Sequence, residues 1–144
     1  MRVFVGTDHA GLEFKEHLKQ ALTEAGHEPV DCGAFAYDPV DDYPPFCFEV
    51  GERVVVEPGT LGVVIGGSGN GEQIAANKVP GVRAALVWNT ETAQLARQHN
   101  DANVVSIGAR QHSVEEATEL VLEFLRTPFS EDERHVRRIG LVSD

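Results

Sequence analysis

The sequence contains little cysteine and no long apolar run. Only Cys32 and Cys47 occur among 144 residues, and they form no CxxC pair. We therefore expect reduced, buried thiols, and neither a disulfide nor a metal site. No stretch is apolar enough over sufficient length to span a bilayer, and the N-terminus lacks the basic-then-apolar pattern of a signal peptide. These absences and the length predict a cytoplasmic protein with a single domain over residues 1–144.

Positive charge is also scarce. Twelve Lys and Arg residues face 23 Asp and Glu residues, so the formal net charge is −11. Such a chain is repelled by nucleic acids and anionic membranes. Four of the nine arginines nevertheless cluster near the C-terminus beside His135, and these are Arg126, Arg134, Arg137 and Arg138. The cluster predicts a basic patch suited to a small anion.

Strand-like and helix-like segments alternate five times along the chain. The β-branched runs predict strands at 2–7, 28–31, around 63–65, 83–88 and 103–107. Helical spacing follows each of them, and two capping-box patterns, Ser113 with Glu116 and Ser130 with Glu133, predict two helices at the C-terminal end. This alternation predicts an α/β fold in which a five-stranded parallel sheet lies between layers of helices.

Ligands in such folds bind at the carboxyl ends of the strands. The residues predicted there are Asp8-His9, the turn Gly66–Glu72, and the segment 108–112. The turn contains a GxGxG pattern and not GxGxxG, and Glu72 stands where a phosphate-binding P-loop has lysine. A dinucleotide or a nucleoside triphosphate is therefore disfavoured, although the glycines let a ligand approach the backbone closely.

Two interpretations of Glu72 remain open from spacing alone. It is either a favourable charge in the first turn of a helix, or a general base facing a substrate that lies on the loop amides. Asp8 has the same ambiguity, because Asp is a frequent helix cap. His99 and Asn100 are both common residues at a helix C-terminus.

Five segments in order, GTDHAG, DDYPPF, GGSGNGEQIAANKVPGVRAAL, ARQHND and RHVRRI, resemble the ribose-5-phosphate isomerase B family, which includes the galactose-6-phosphate isomerase subunits. The resemblance covers essentially the whole chain. It implies a Rossmann-like three-layer α/β/α sandwich and a homodimer whose active site is shared between subunits, and it leaves tetramers open. It also implies no metal or organic cofactor, and an interconversion of ribose 5-phosphate and ribulose 5-phosphate through a cis-enediol.

The resemblance also assigns roles to residues. One branch of the family has a cysteine base at the position of Gly66, whereas this chain resembles the branch in which a glutamate at the position of Glu72 moves the proton. Ser68 and the neighbouring amides would hold the enediolate oxygens, and His99 would open the furanose ring. The implied substrate-binding residues are Asp8, His9, Tyr43, Gly67, Gly69, Asn70, Gly71, Asn100, Arg110, Arg134, His135 and Arg138. Among them, His9 and the arginines would bind the phosphate.

Two alternatives compete with this function. A six-carbon substrate, allose 6-phosphate or galactose 6-phosphate, is compatible with the same motifs. A non-catalytic flavodoxin-like module that binds a nucleotide or receives a phosphoryl group fits less well. A receiver domain needs an acidic cluster, an Asp after the third strand and a Lys after the fifth, whereas this chain offers Asp8 alone, a glycine and no lysine.

Overall fold

The computed structural model describes residues 1–143 and confirms the predicted alternation of strands and helices. The strands are β1 (Arg2–Thr7), β2 (Glu28–Asp31), β3 (Leu61–Gly66), β4 (Ala84–Leu86) and β5 (Val104–Gly108). The helices are α1 (Leu12–Glu24), α2 (Pro44–Val56), α3 (Asn70–Ala76), α4 (Thr90–Gln98), α5 (Val114–Arg126) and α6 (Glu133–Val142). A short 3-10 turn, His9–Gly11, precedes α1.

The five strands form one parallel sheet in the order β2-β1-β3-β5-β4. Every residue of β3 and β5 is buried, because helices cover both faces of the sheet. Val63 and Ile65 pack on the side of α1, α4 and α5, whereas Val64 packs on the side of α2 and α3. This arrangement confirms the three-layer α/β/α fold. No helix within residues 1–143 is long and apolar enough to cross a membrane.

The strand order determines which of the predicted site segments meet. β1, β3 and β5 are neighbours at the centre of the sheet, with Thr7 paired to Ile65 and Gly66 paired to Gly108. Their carboxyl ends therefore lie side by side. The three strand-end segments of the sequence prediction consequently share one edge of the sheet.

The fourth strand is shorter than predicted. It was expected over 83–88, but the ladder with β5 covers only Ala84–Leu86. The backbone N–H of Trp88 donates instead to Thr92 Oγ1 at 3.2 Å, within the capping box that Asn89 and Thr92 form at the start of α4. Trp88 thus belongs to the helix cap, which ends the strand.

The predicted cap of the last helix is wrong. α6 begins at Glu133, and its N-cap is Asp132, whose Oδ1 accepts a hydrogen bond from Arg134 N at 3.0 Å. Ser130 lies before the helix, where its hydroxyl accepts from Asp132 N and contacts His135 Nδ1. In α5, by contrast, Ser113 is the cap as predicted, and its hydroxyl accepts from Glu116 N at 3.1 Å.

Candidate active site

A glycine turn connects β3 to α3 and is packed tightly against β5. Gly69 has φ +86°, a conformation that favours glycine, and a Cβ there would lie 2.7 Å from Leu86 Cδ1. The fully buried Ser106 hydroxyl donates to Gly69 O at 2.7 Å, and Ser68 Oγ accepts from Asn70 N at 3.2 Å. These contacts hold the turn against the carboxyl ends of the strands.

Glu72 lies in the first turn of α3 but is only 4% exposed. Its carboxyl group folds back over the end of β3, where a Cβ added at Gly66 would overlap the Glu72 Cδ and both carboxylate oxygens. Burial raises the pKa of Glu72, and the negative charge of Asp8 raises it further, while the backbone amides of Glu72 and Gly69 oppose these effects. This placement favours the general-base hypothesis over a solvated charge at a helix end.

Other predicted site residues surround the same turn. Asp8 Oδ1 accepts from Ala10 N at 2.9 Å, so Asp8 caps the 3-10 turn as well as facing Glu72. Tyr43 packs on Gly71, where a Cβ would lie 2.5 Å from the Tyr43 hydroxyl oxygen. Arg110 reaches the other end of the turn, with Nη1 3.2 Å from the Cβ position of Gly67. The site residues gathered here, which we call the glycine-turn group, are Asp8, His9, Tyr43, Gly67, Ser68, Gly69, Asn70, Gly71, Glu72 and Arg110.

Asp41 also contacts the glycine-turn group, although it was not among the predicted site residues. Its Oδ1 accepts from His9 N at 3.1 Å and lies 2.7 Å from His9 Nδ1. The two residues are separated by 32 positions, so helical or strand periodicity does not connect them. The length of the polar loop 33–44 does predict a functional loop, and Asp41 is one of its notable side chains, but nothing in the loop sequence predicts the contact with His9.

Five predicted site residues lie at the opposite edge of the sheet. α4 leads back from the end of β4 to the start of β5, and Asn100 O accepts from Nε of Arg83, the residue just before β4. His99 and Asn100 are therefore near the amino ends of the strands. The rings of His99 and His135 stack there, with centroids 4.2 Å apart and an interplanar angle of 32°. We call this set, His99, Asn100, Arg134, His135 and Arg138, the histidine group.

Positive charge dominates the histidine group. Desolvation lowers the pKa of His135, and nearby His99, Arg134 and Arg138 lower it further, while Asp132 partly opposes them. All of these neighbours except Asp132 are cations or become cations on protonation, so the group is suited to bind an anion. β3 has six residues, which places the two groups on the order of 15–20 Å apart within one chain.

Neither cysteine is a candidate nucleophile. Cys32 and Cys47 are free and buried. Burial raises the pKa of Cys32 to about 11 and that of Cys47 to about 12, the latter also because of the Glu72 and Asp8 charges, so both thiols stay protonated at neutral pH.

Asp8, His9 and Asp41 could offer one ligand atom each within 4.8 Å of one another. His9 Nδ1 is already bonded to Asp41 in this arrangement.

Comparison with known proteins adds independent findings. The sequence profile of the Ribose/Galactose Isomerase family matches residues 3–142. Ribose-5-phosphate isomerase B of Mycolicibacterium paratuberculosis is 56% identical over 144 residues, which is 100% of this chain and 91% of that protein. Both chains are thus covered almost completely.

Solved structures give the same result. Type B ribose 5-phosphate isomerase from Trypanosoma cruzi superposes with a TM-score of 0.93 at 48% identity, covering 99% of this chain and 95% of that chain. Ribose-5-phosphate isomerase B from Mycoplasma genitalium, solved with bound ribulose-5-phosphate, superposes with a TM-score of 0.94 at 40% identity, covering 98% and 93%.

Proposed function

Because this chain belongs to the ribose/galactose isomerase family, we propose that it is a ribose-5-phosphate isomerase that interconverts ribose 5-phosphate and ribulose 5-phosphate. The close relatives named above carry this activity in their names, and one of them holds ribulose-5-phosphate. The reaction moves a proton between C2 and C1 of the sugar through a cis-enediol. It therefore needs a base above the two carbons and donors for the enediolate oxygens.

The observation that supports the chemistry best is the position of Glu72. The carboxylate is buried at the carboxyl edge of the sheet, next to the turn whose Ser68 hydroxyl and amides can donate to a developing oxyanion. Its raised pKa makes it a stronger base than an exposed glutamate. Glu72 takes the proton from C2 of the aldose and returns it to C1, while the proton on the C2 hydroxyl is transferred to O1.

Gly66 supports the assignment of this chain to the branch with a glutamate base. Any side chain at position 66 would occupy the volume that the Glu72 carboxyl group fills. A cysteine base there and a glutamate base in its present position are therefore sterically exclusive. Cys47 does not replace the cysteine base, since it lies buried in α2 with a pKa of about 12.

The separation of the two groups supports a shared site. A five-carbon sugar phosphate is much shorter than the distance between Glu72 and His99 in one chain. A second copy of the chain can bring its histidine group to the glycine turn, where His99 opens the furanose ring and Asn100 contacts the sugar. Arg134 and Arg138 of that copy then bind the phosphate together with His9 and Arg110.

A coupled assay of ribose 5-phosphate conversion tests the function directly. Wild-type protein should convert the substrate, and Glu72→Gln should lower kcat by about 10³-fold or more while substrate binding is retained, because the amide cannot accept the proton. Glu91→Gln is the matched control, since Glu91 is an exposed carboxylate in the first turn of α4.

Near-normal turnover in Glu72→Gln would contradict the proposed base. The same assay with six-carbon sugar phosphates separates the two substrate classes, because specificity is the ratio of the kcat/KM values. We expect the larger kcat/KM for ribose 5-phosphate.

A further inference from the structure

Asp41 holds His9 by two hydrogen bonds to a single oxygen. Asp41 Oδ1 accepts from the His9 backbone N–H at 3.1 Å and lies 2.7 Å from the ring Nδ1. Both side chains are mostly buried, with 12% of Asp41 and 22% of His9 exposed. Because one bond fixes the backbone and the other fixes the ring, the imidazole cannot turn about its side-chain bonds without losing a hydrogen bond to a charged acceptor.

The surroundings restrict the ring further. Tyr37 packs edge-on against the His9 ring, with centroids 6.3 Å apart and an interplanar angle of 88°. A second carboxylate, that of Asp8, lies 4.0 Å from His9 Nδ1. A carboxylate acceptor requires the proton on Nδ1, so Nε2 is the ring nitrogen left for a ligand.

We propose that Asp41 is a positioning residue for the isomerase reaction, because it holds His9 with Nδ1–H toward Asp41 and Nε2 toward the substrate phosphate. The inference rests on the proposed function, in which His9 contacts the phosphate. With Nδ1 bonded to Asp41, Nε2 is the atom through which the ring contacts a phosphate oxygen.

The kinetic test uses Asp41→Asn, which keeps the shape of the side chain and removes its charge. We expect KM for ribose 5-phosphate and the inhibition constant of inorganic phosphate to rise about tenfold, with kcat changed less than about threefold. The neutral amide oxygen of Asn accepts from His9 more weakly than a carboxylate does, so the phosphate contact is weakened while the base is intact. Asp42→Asn is the matched control, since Asp42 is the exposed neighbour in the same loop and should leave both constants unchanged. Equal inhibition constants for phosphate in wild type and Asp41→Asn would overturn the proposal.

A double variant distinguishes positioning from general support of the fold. In a His9→Asn background, Asp41→Asn should add no further loss, because Asp41 acts through His9. Additive losses would assign Asp41 a role independent of His9 and overturn the proposal. Thermal unfolding of each variant identifies any that fail to fold.

Nitrogen NMR of the free protein tests the hydrogen bond without relying on the isomerase activity. The His9 signals, assigned by comparison with His9→Asn, should show a protonated Nδ1 in wild type. A neutral ring with the proton on Nε2 alone would overturn the proposal, as would loss of activity on chelation with recovery on adding a divalent cation, which would make Asp41 a metal ligand. If wild-type protein fails to convert ribose 5-phosphate, the proposed function fails, and the NMR signals and phosphate binding still decide the role of Asp41.

Discussion

Among single residues, Gly66 and Glu72 depend on each other most closely. The Glu72 carboxyl group occupies the space in which any side chain at position 66 would lie. The glycine is therefore needed for its lack of volume and not for an unusual backbone angle. The functional consequence is that the identity of residue 66 controls whether the carboxylate can lie over the end of β3.

Gly66→Ala should reduce both activity and stability. The methyl group forces Glu72 out of its position, so kcat should fall at least tenfold, and overpacking should lower the free energy of unfolding by about 1–3 kcal/mol. Urea denaturation and the coupled assay measure the two effects. Gly140→Ala is the control, because within residues 1–143 its Cβ position in α6 has no atom within 4 Å apart from its chain neighbours and the helix backbone, and it should keep full activity. Full activity of Gly66→Ala would contradict the requirement for Glu72 in this position.

The raised pKa of Glu72 predicts a pH dependence of both stability and rate. The folded state holds this proton more tightly than the unfolded state, whose pKa is near the model-compound value of 4.5. Between 4.5 and the higher folded-state value, the folded protein therefore binds more protons, and the contribution of Glu72 to stability falls as pH rises. The neutral side chain in Glu72→Gln avoids this loss of stability. The variant should therefore have a higher free energy of unfolding than wild type at pH 7, and the difference should shrink toward pH 4.5.

The catalytic rate should also depend on the protonation state of Glu72. kcat/KM should fall on the acid side as Glu72 becomes protonated, with a midpoint above 4.5. Denaturant unfolding at several pH values and the kinetic pH profile check the two predictions. A Glu72→Gln variant less stable than wild type at pH 7 would contradict the cost assigned to burying the carboxylate.

At the scale of elements, α6 carries three of the proposed site residues but contributes little to the core. His135 is its buried residue, whereas Val136, Leu141 and Val142 are exposed. A helix with so little buried surface depends strongly on its cap. Asp132 therefore helps to hold the histidine-group residues of α6 in place, although it is itself exposed.

Asp132→Ala should loosen α6 and weaken substrate binding. Loss of the cap costs about 1 kcal/mol of helix stability, so amide hydrogen exchange in α6 should accelerate and KM for ribose 5-phosphate should rise severalfold. Ser113→Ala is the matched control, because it removes the cap of α5, a helix without site residues, and should lower global stability without changing KM. Unchanged exchange in α6 of Asp132→Ala would show that the cap does not hold the helix.

At the scale of the whole molecule, the two groups at opposite edges of the sheet predict that activity requires two chains. In a symmetric dimer, each site would combine the Glu72 of one copy with the His99 of the other. Glu72→Gln and His99→Asn homodimers each lack one of these residues in every site. A mixed dimer regains one site that contains both.

Each variant alone should convert ring-closed ribose 5-phosphate poorly. Mixing them should therefore restore about a quarter of wild-type activity after subunit exchange, because half of the dimers are mixed and each has one intact site. Mixing Glu72→Gln with Ser68→Ala is the control, since both residues belong to the glycine-turn group and no site becomes intact. Sedimentation should show dimers in both mixtures. No recovery in exchanged dimers of the first pair would contradict the shared site.

Local patterns in the sequence were sufficient for most of the fold. The β-branched runs of β1, β3 and β5 indicate strands because these residues pack well on a sheet buried on both faces. Turn glycines and helix caps also act over a few residues, and the strand boundaries were predicted within one or two positions. The end of β4 and the cap of α6 were wrong where competing local hydrogen bonds were available.

Part of the site could also be predicted from short-range features. A carboxylate in the first turn after a glycine turn is visible in the sequence, and the family resemblance indicated its role. The Asp41–His9 pair was missed because a hydrogen bond between residues 32 positions apart leaves no periodic signal.

The sequence alone was thus sufficient to predict the type of fold and the chemical groups that the site offers, because both can be recognised from short stretches of neighbouring residues. Only the tertiary structure decided the strand order β2-β1-β3-β5-β4, the burial of Glu72 over Gly66 and the separation of the histidine group from the glycine turn. These features depend on which distant segments pack together, and that choice depends on the free energy of the whole packed chain.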